Sequence, residues 1–372
     1  MVSIVSSALP ATQKALKVQE RNQVKLEKNA VLPTVGPSEV LIQVVFVSIN
    51  PVDGKSVDMQ PTPGATCGTD FSGVIVALGA AVSTNQWQIG DRVMGGIFGN
   101  NPLRLENGAF AEYAACPTQL LWRIPCSVDF ATAASLPAAM ATVGLALFLH
   151  LGIPMPEVAT AKLPPTTTTN KQSEPTYVLV YGGGTATGAI AIQVLRLLGL
   201  TPITACSKAW APRALALGAV ASFDYQSPTC GAEILQHTSG SLGLVLDCIT
   251  DSASMDICYK AIGPDGGRYV GLDPLPLCGH TRRSVKPDWV CGYTQFGHRI
   301  DWAPPYDLDE RPENRACAEA WYVLAQHLLD EGSIKPHPIE LQHGGLDAVG
   351  EAMDRVCKGQ IKGKKLVCQV SS

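Results

Sequence analysis

The stretch Val178-Leu179-Val180-Tyr181-Gly182-Gly183-Gly184-Thr185-Ala186-Thr187-Gly188 decides the fold class of this chain. An apolar run of strand length leads into three consecutive glycines and then into a helical pattern at 189–198. Glycines let the backbone turn sharply and approach a pyrophosphate, while N–H groups at the start of the following helix bind phosphate oxygens. We therefore predict a dinucleotide site whose phosphate-binding residues are Gly184, Thr185, Ala186 and Thr187. The alternative is a purely structural glycine turn.

The residues after this stretch alternate between strand and helix patterns. Further strands are predicted at 201–206, 221–225, 244–249 and 268–272, with helical patterns between them. Such alternation indicates a parallel, doubly wound sheet, so the class is α/β and residues 177–315 form a Rossmann domain.

The residues that follow the second predicted strand indicate the cofactor. An NAD-binding chain usually has Asp or Glu roughly 20 residues past the glycines, where it holds the ribose 2′-hydroxyl. This chain has Ser207-Lys208 there, a hydrogen-bond donor followed by a positive charge. Because this pair suits a 2′-phosphate, we predict that the cofactor is NADPH. The alternative is a solvated lysine beside a neutral serine.

The N-terminal third follows a different pattern. Short strand candidates at 40–48, 71–78, 92–94 and 110–113 lie between Gly and Pro residues, which favours a small barrel over βαβ units. A helical stretch follows at 131–151, and a segment with five prolines and four consecutive threonines, 154–176, is expected to form an exposed loop. We assign 1–153 to the first domain and 154–176 to this loop.

The composition excludes several classes of protein. Of 372 residues, 46% are hydrophobic and 16% are charged, so disorder is not expected. The net charge of −4 and the lack of a basic stripe argue against nucleic acid as a partner. The 12 cysteines include no CxxC pair, which is typical of reduced thiols in a cytoplasmic protein. We expect neither a signal peptide nor a membrane span.

Four motifs at 49–55 (INPVDGK), 68–73 (GTDFSG), 90–93 (GDRV) and 108–113 (GAFAEY) carry a family resemblance. In order and spacing they resemble the catalytic domain of quinone-oxidoreductase-like, zinc-independent medium-chain dehydrogenases/reductases. The resemblance implies a GroES-like, partly open β-barrel catalytic domain, completed by a C-terminal segment at 316–372 that returns to it.

A narrower resemblance rests on 181–187 (YGGGTAT), 223–225 (FDY), 246–250 (LDCIT) and 302–306 (WAPPY). These segments are similar to the trans-acting enoyl reductases of fungal polyketide synthases of the lovastatin, aspyridone and cytochalasin type. That family implies reduction by NADPH of the α,β-double bond of a polyketide thioester, held on the acyl carrier domain of a polyketide synthase or a synthase–peptide synthetase hybrid. It also implies a monomer. Two other hypotheses remain open: a freestanding quinone or 2-alkenal reductase, and a non-catalytic nucleotide-binding scaffold.

The resemblance also implies the remaining site residues. Lys55 and Thr142 are the predicted catalytic residues. The alternative for Lys55 is a surface lysine after a turn, and the alternative for Thr142 is a helix hydroxyl bonded to the preceding turn. Cofactor contacts are implied for Val52, Asp53, Gly54, Lys55, Tyr225, Leu272, Asp273, Ile361 and Lys362. Substrate contacts are implied for Met140, Ala141, Thr142, Val143, Gly144, Leu145, Ala146 and Leu147.

The sequence Cys67-Gly68-Thr69-Asp70 looks like a zinc motif but does not fit one. By comparison with the neighbouring motifs, Thr69-Asp70 falls where zinc enzymes have His-Glu, and their catalytic cysteine falls at 50–53, which holds no thiol. A catalytic zinc needs three converging protein ligands, so we predict no metal site. Two basic clusters, at 282–286 and at Lys358, Lys362, Lys364 and Lys365, are either solvated surface or docking sites for an acidic carrier domain.

Overall fold

A computed structural model describes residues 3–4, 9–156, 175–276 and 278–371. The contacts divide the chain into a first unit, Met1–Ala141 with Phe296–Asp330 and Pro336–Ser372, and a second unit, Thr142–Gln295 with Glu331–Lys335. Most of the loop predicted at 154–176 falls on 157–174, which lie outside the described residues.

The elements are numbered in chain order. The strands are β1 Ser3–Ile4, β2 Thr12–Glu20, β3 Gln23–Val31, β4 Glu39–Ile49, β5 Asp70–Leu78, β6 Arg92–Gly96, β7 Tyr113–Pro117, β8 Leu121–Arg123, β9 Tyr177–Tyr181, β10 Thr201–Cys206, β11 Ala221–Asp224, β12 Leu244–Asp247, β13 Gly267–Gly271, β14 Val285–Trp289, β15 Ile339–Gln342 and β16 Lys365–Gln369. The α-helices are α1 Pro51–Met59, α2 Phe130–Ala134, α3 Pro137–Gly144, α4 Ala186–Leu197, α5 Ala211–Ala216, α6 Cys230–His237, α7 Ser252–Ala261, α8 Pro312–Asp330 and α9 Val349–Cys357. A π-helix, Leu145–His150, continues α3.

The second unit contains a six-stranded sheet in the order β11-β10-β9-β12-β13-β14. Every pairing in it is parallel, and the chain reverses direction across the sheet at β9, as in a doubly wound nucleotide-binding fold. The predicted Rossmann sheet is thus confirmed. The sixth strand, β14, was not predicted because Lys286, Pro287 and Asp288 interrupt any apolar pattern; at the edge of a sheet such residues are tolerated.

The first unit contains an eight-stranded sheet, with β15-β16-β4-β5-β6-β8 in order, β7 on β4 and β1 on β5. The last strand, β16, pairs antiparallel with β4, so the C-terminal segment completes the N-terminal sheet. Apolar side chains of β4, β5 and β16, among them Ile42, Phe71, Ile75 and Leu366, are buried in one core. The remaining sheet is the β2–β3 hairpin, whose turn places Asn22 in the left-handed region at φ 57°.

One predicted strand is wrong, and two domain bounds differ from the prediction. The pattern at 110–113 is not a strand, because Phe110 bonds through its backbone to Leu16 and Cys67, and β7 begins only at Tyr113. Residues 142–153 group with the second unit, where His150 Nδ1 lies 2.7 Å from Asp288 Oδ2. Residues 296–315 group with the first unit, in which Trp302 Nε1 donates to the Asn100 carbonyl at 3.1 Å.

The stretch Phe130–His150 is long and apolar enough to cross a membrane by length and composition alone. It is the one such stretch found among the described residues, and 78% of its apolar window is buried inside the fold. A buried core helix has the same composition, so this feature is weak evidence for a membrane span.

Candidate functional site

The glycine turn after β9 is shaped by close packing. A Cβ added at Gly183 would lie 2.1 Å from Thr204 Oγ1, and one at Gly188 would lie 2.4 Å from the Gly182 carbonyl oxygen. Gly182 itself adopts φ +84°. Each of these positions therefore requires glycine, and the turn carries no side chain of its own at these three positions.

Thr185 caps α4. Its hydroxyl donates to the Gly182 carbonyl at 2.8 Å and accepts from the Gly188 N–H at 3.0 Å. The hydroxyl of this predicted phosphate-binding residue is thus engaged within the turn. The N–H groups of Ala186 and Thr187 have no acceptor within the helix, and together with the dipole of a 12-residue helix they suit an anion.

Trp210 flanks this turn and was missed by the sequence reasoning. Its Nε1 donates to the Gly183 carbonyl at 2.9 Å, and its Cγ would lie 3.2 Å from a Cβ added at Gly184. The ring therefore holds the glycine turn in place. No motif marked this residue, because its role depends on a contact between two loops of the sheet.

Ser207 and Lys208 follow β10, at the same sheet edge as the glycine turn. Lys208 is 87% exposed, and its Nζ lies 3.5 Å from Asp224 Oδ2 at the end of the neighbouring strand β11. An exposed ion pair of this kind contributes little energy, so the ammonium can readily turn to another anion.

Tyr225, Leu272 and Asp273 lie at strand ends of the same sheet. Tyr225 follows β11, is 40% exposed, and packs edge-on against Tyr181 at 6.4 Å between ring centres. The Leu272 N–H donates to Thr250 Oγ1 at 2.7 Å, so Thr250 fixes the backbone after β13.

Thr250 is itself held by Asp247, a residue that the sequence analysis did not predict as part of the site. This buried carboxylate accepts from Tyr269 Oη at 2.7 Å, from Ser254 Oγ at 2.5 Å and from the Thr250 N–H at 3.0 Å. Burial raises the pKa of Asp247. Asp247 belongs to the LDCIT segment, but the family resemblance of that segment does not indicate this positioning role.

The predicted substrate stretch, 140–147, lies in α3 and the π-helix. Its residues are buried except Thr142, which is half-buried. A Cβ added at Gly292 would lie 3.8 Å from Thr142 Oγ1, so glycine leaves open space beside this hydroxyl. Met140 is fully buried, and its carbonyl accepts from Trp321 Nε1 at 2.8 Å.

In the first unit, α1 carries Val52, Asp53, Gly54 and Lys55. Lys55 is exposed, Val52 is half-buried, and Asp53 and Gly54 are buried. Helix α1 packs closely on α9 at Gly54, where an added Cβ would lie 2.2 Å from Cys357 Sγ. Ile361 and Lys362 follow α9, and Ile361 packs against the core while Lys362 is exposed.

Asp53 anchors the first turn of α1. One carboxylate oxygen accepts from the Asn50 N–H at 2.7 Å, and the other accepts from Thr69 Oγ1 at 2.8 Å. Burial raises the pKa of Asp53 to about 7, and the charge of Asp70 acts in the same direction.

The zinc look-alike has a structural explanation. Thr69 bonds to Asp53, and Asp70 accepts from Lys365 Nζ at 2.7 Å. Cys67 is buried, and burial raises the pKa of its thiol. Within the described residues, no group of three His, Cys, Asp or Glu side chains is arranged to hold a metal ion.

Most of the basic side chains described in the two predicted clusters form hydrogen bonds or ion pairs within the chain. Arg282 donates to the carbonyls of Tyr259, Ile262 and Gly263 at 2.6–2.9 Å, so it caps the end of α7 and is unsuited to docking a partner. Lys358 and Lys364 pair with Asp354 and Glu340, and Lys365 is buried against Asp70.

The fold and the nucleotide turn are those of the medium-chain dehydrogenases/reductases, an oxidoreductase class that binds a nicotinamide cofactor. Residues 36–126 match the family described as Alcohol dehydrogenase GroES-like domain. A solved alcohol dehydrogenase superfamily protein from Novosphingobium aromaticivorans superposes with a TM-score of 0.73 at 22% identity, covering 97% of this chain and all of that one.

Two curated relatives are similar over nearly the full length. Trans-enoyl reductase iccB of Talaromyces variabilis is 57% identical over 99% of this chain and 98% of its own. Trans-enoyl reductase iliB of Neonectria sp. (strain DH2) is 56% identical over the same shares. The chain belongs to the trans-enoyl reductase family, which confirms the resemblance seen in its motifs.

Proposed function

We propose that this protein reduces the α,β-double bond of a polyketide thioester with NADPH, while the thioester is carried on the acyl carrier domain of a separate polyketide synthase. The observation that carries this proposal is full-length similarity to trans-enoyl reductases, in a chain that has the nucleotide turn together with Lys55 and Thr142. We further propose that it acts as a cytoplasmic monomer.

The strand ends support NADPH as the cofactor. The position after β10 that holds an acid in NAD enzymes is Ser207, and the exposed Lys208 ammonium stands beside it. The glycine turn at 182–188 and the N–H groups of Ala186 and Thr187 suit the pyrophosphate.

The chemistry requires stabilisation of negative charge at the thioester carbonyl. When bound, the dinucleotide supplies a hydride to the β-carbon, and a proton then reaches the α-carbon. Charge builds on the carbonyl oxygen between these events. The Lys55 ammonium and the Thr142 hydroxyl are the donors we assign to this oxygen or to the cofactor ribose beside it.

The test follows NADPH oxidation with an α,β-unsaturated acyl thioester and, separately, with a quinone. Turnover of the thioester is expected to dominate; fast quinone turnover with none on the thioester would establish the freestanding quinone reductase instead. Lys55→Met and Thr142→Val should each lower kcat by about 100-fold, the usual loss for a missing transition-state donor. The matched control is Lys25→Met, an exposed lysine on β3, which should leave the rate unchanged.

A further inference from the structure

Asp70, at the start of β5, is a fully buried carboxylate with partners from four parts of the first unit. One oxygen accepts from Lys365 Nζ at 2.7 Å, from Asn50 Nδ2 at 2.9 Å and from Ser48 Oγ at 3.4 Å. The other accepts from the Ala138 N–H at 2.7 Å. Both oxygens are therefore engaged.

Two of these partners stand at the starts of helices. Asn50 immediately precedes α1, whose second turn carries Lys55. Ala138 is the second residue of α3, where its N–H has no acceptor within the helix. A carboxylate at this end of a helix is also favoured by the helix dipole. Asp70 thus bonds the beginnings of the two helices that carry Lys55 and the stretch beginning at Met140.

Lys365 makes this arrangement possible. A carboxylate this deeply buried is costly unless it is paired, and the Lys365 ammonium, itself only 7% exposed, is its counter-ion. Lys365 is held by β16, which pairs with β4 directly before Asn50. The ion pair is therefore fixed by the sheet and does not depend on flexible surface side chains.

We propose that Asp70, with Lys365 as its counter-ion, is a positioning residue that sets the placement of α1 and α3 for the reduction. This inference rests on the proposed function for its kinetic readout, and it adds two residues that the function had not used. Neither residue contacts the reacting atoms in this assignment; they act through the helices they hold.

The experiment compares Asp70→Asn, Lys365→Met and the double variant, and measures kcat, the KM for NADPH, the melting temperature and hydrogen exchange at the Ala138 amide. Asp70→Asn and Lys365→Met should each lower kcat by about 10- to 100-fold, since small misplacements near the reacting groups have effects of this size. The KM for NADPH should rise by a smaller factor, because the phosphate-binding turn belongs to the other unit and only the cofactor contacts predicted for α1 would be disturbed. Exchange at Ala138 should accelerate in Asp70→Asn.

The double variant separates positioning from stability. It leaves neither charge buried alone, so its melting temperature should recover relative to the single variants while kcat stays low. Glu39→Gln is the matched control: it breaks the 2.7 Å pair of Glu39 with Arg104 in the same unit, and should lower the melting temperature without lowering kcat.

Recovery of kcat together with melting temperature in the double variant would overturn the proposal, as would unchanged exchange at Ala138 or an equal loss of kcat in Glu39→Gln. If the wild-type protein reduces no enoyl thioester, the proposed function fails. The exchange and melting data still decide whether Asp70 holds the helices, because they need no substrate.

Discussion

Replacing Asp53 with Asn should change how the stability of this protein depends on pH. Asn keeps the size of the side chain, can accept from the Asn50 N–H through its oxygen, and can donate to Thr69 Oγ1 through its amide. What it removes is a buried carboxyl group whose pKa is raised from 3.8 to about 7 in the folded protein.

The sign and size of the effect follow from linkage. Between pH 3.8 and about 7 the folded state keeps a proton that the unfolded state has lost, so stability falls as pH rises through this window. At 1.36 kcal/mol per pH unit, the full difference is about 4 kcal/mol, of which about 3 kcal/mol is lost between pH 5 and 8. The Asn variant lacks this loss, so it should gain stability relative to the wild type as pH rises.

Urea denaturation of both proteins at pH 5, 6, 7 and 8 measures this difference. Asp58→Asn is the control, since Asp58 lies on the same helix and a hydrogen bond from Arg21 lowers its pKa. Its stability difference from the wild type should stay flat over this range, because Asp58 is ionised in both states. A flat difference for Asp53→Asn as well would refute the reasoning.

Other substitutions test the nucleotide turn and the end of α7. Gly188→Ala should lower the melting temperature and weaken NADPH binding by at least about tenfold, because the added Cβ would meet backbone atoms. In Gly184→Ala the added Cβ meets only the Trp210 side chain, so this variant should be destabilised less. Equal melting temperatures for the two variants would contradict the packing argument. Arg282→Gln should lower the free energy of unfolding, measured by urea denaturation, by about 1–3 kcal/mol because three carbonyls lose their donor. An equal decrease in Arg283→Gln, a variant of the exposed neighbouring residue, would show that the cap made by Arg282 is unimportant. Lys208→Ala should weaken NADPH binding about tenfold in titrations and leave NADH unaffected; equal weakening of both cofactors would remove Lys208 from the phosphate site.

Local patterns in the sequence predicted the Rossmann sheet well. The strand–glycine–helix run at 178–188 and the alternation of strand and helix patterns after it are set by residues close together along the chain. These local patterns predicted strands β9 to β13 correctly. Where local pattern and tertiary packing disagreed, the prediction failed. Strand β14 can be polar because it lies at a sheet edge. The pattern at 110–113 looks like a strand, although the Phe110 backbone bonds to Leu16 on β2 and to Cys67 before β5.

The candidate site was predictable from the sequence only where a short motif of adjacent residues determines the local backbone geometry. The turn at 182–188 does so, because glycine spacing and helix start follow one another directly. Trp210 and the Asp70–Lys365 pair do not, since each acts through a partner far away in sequence. Asp247 bonds to nearby Thr250 and Ser254 and also to Tyr269, and no motif marks this combination of contacts. Family resemblance pointed to Lys55 and Thr142, and their roles stay predictions.

The pairing of β16 with β4 also constrains the order in which this protein can fold. Asp70 and Lys365 are separated by 295 residues, so a growing polypeptide exposes the carboxylate long before its counter-ion has been synthesised. The strands of the second sheet all lie between residues 177 and 289 and can assemble while the rest is still being made. The first unit must wait for its last strand, and its completion is expected to be the slow, final event of folding.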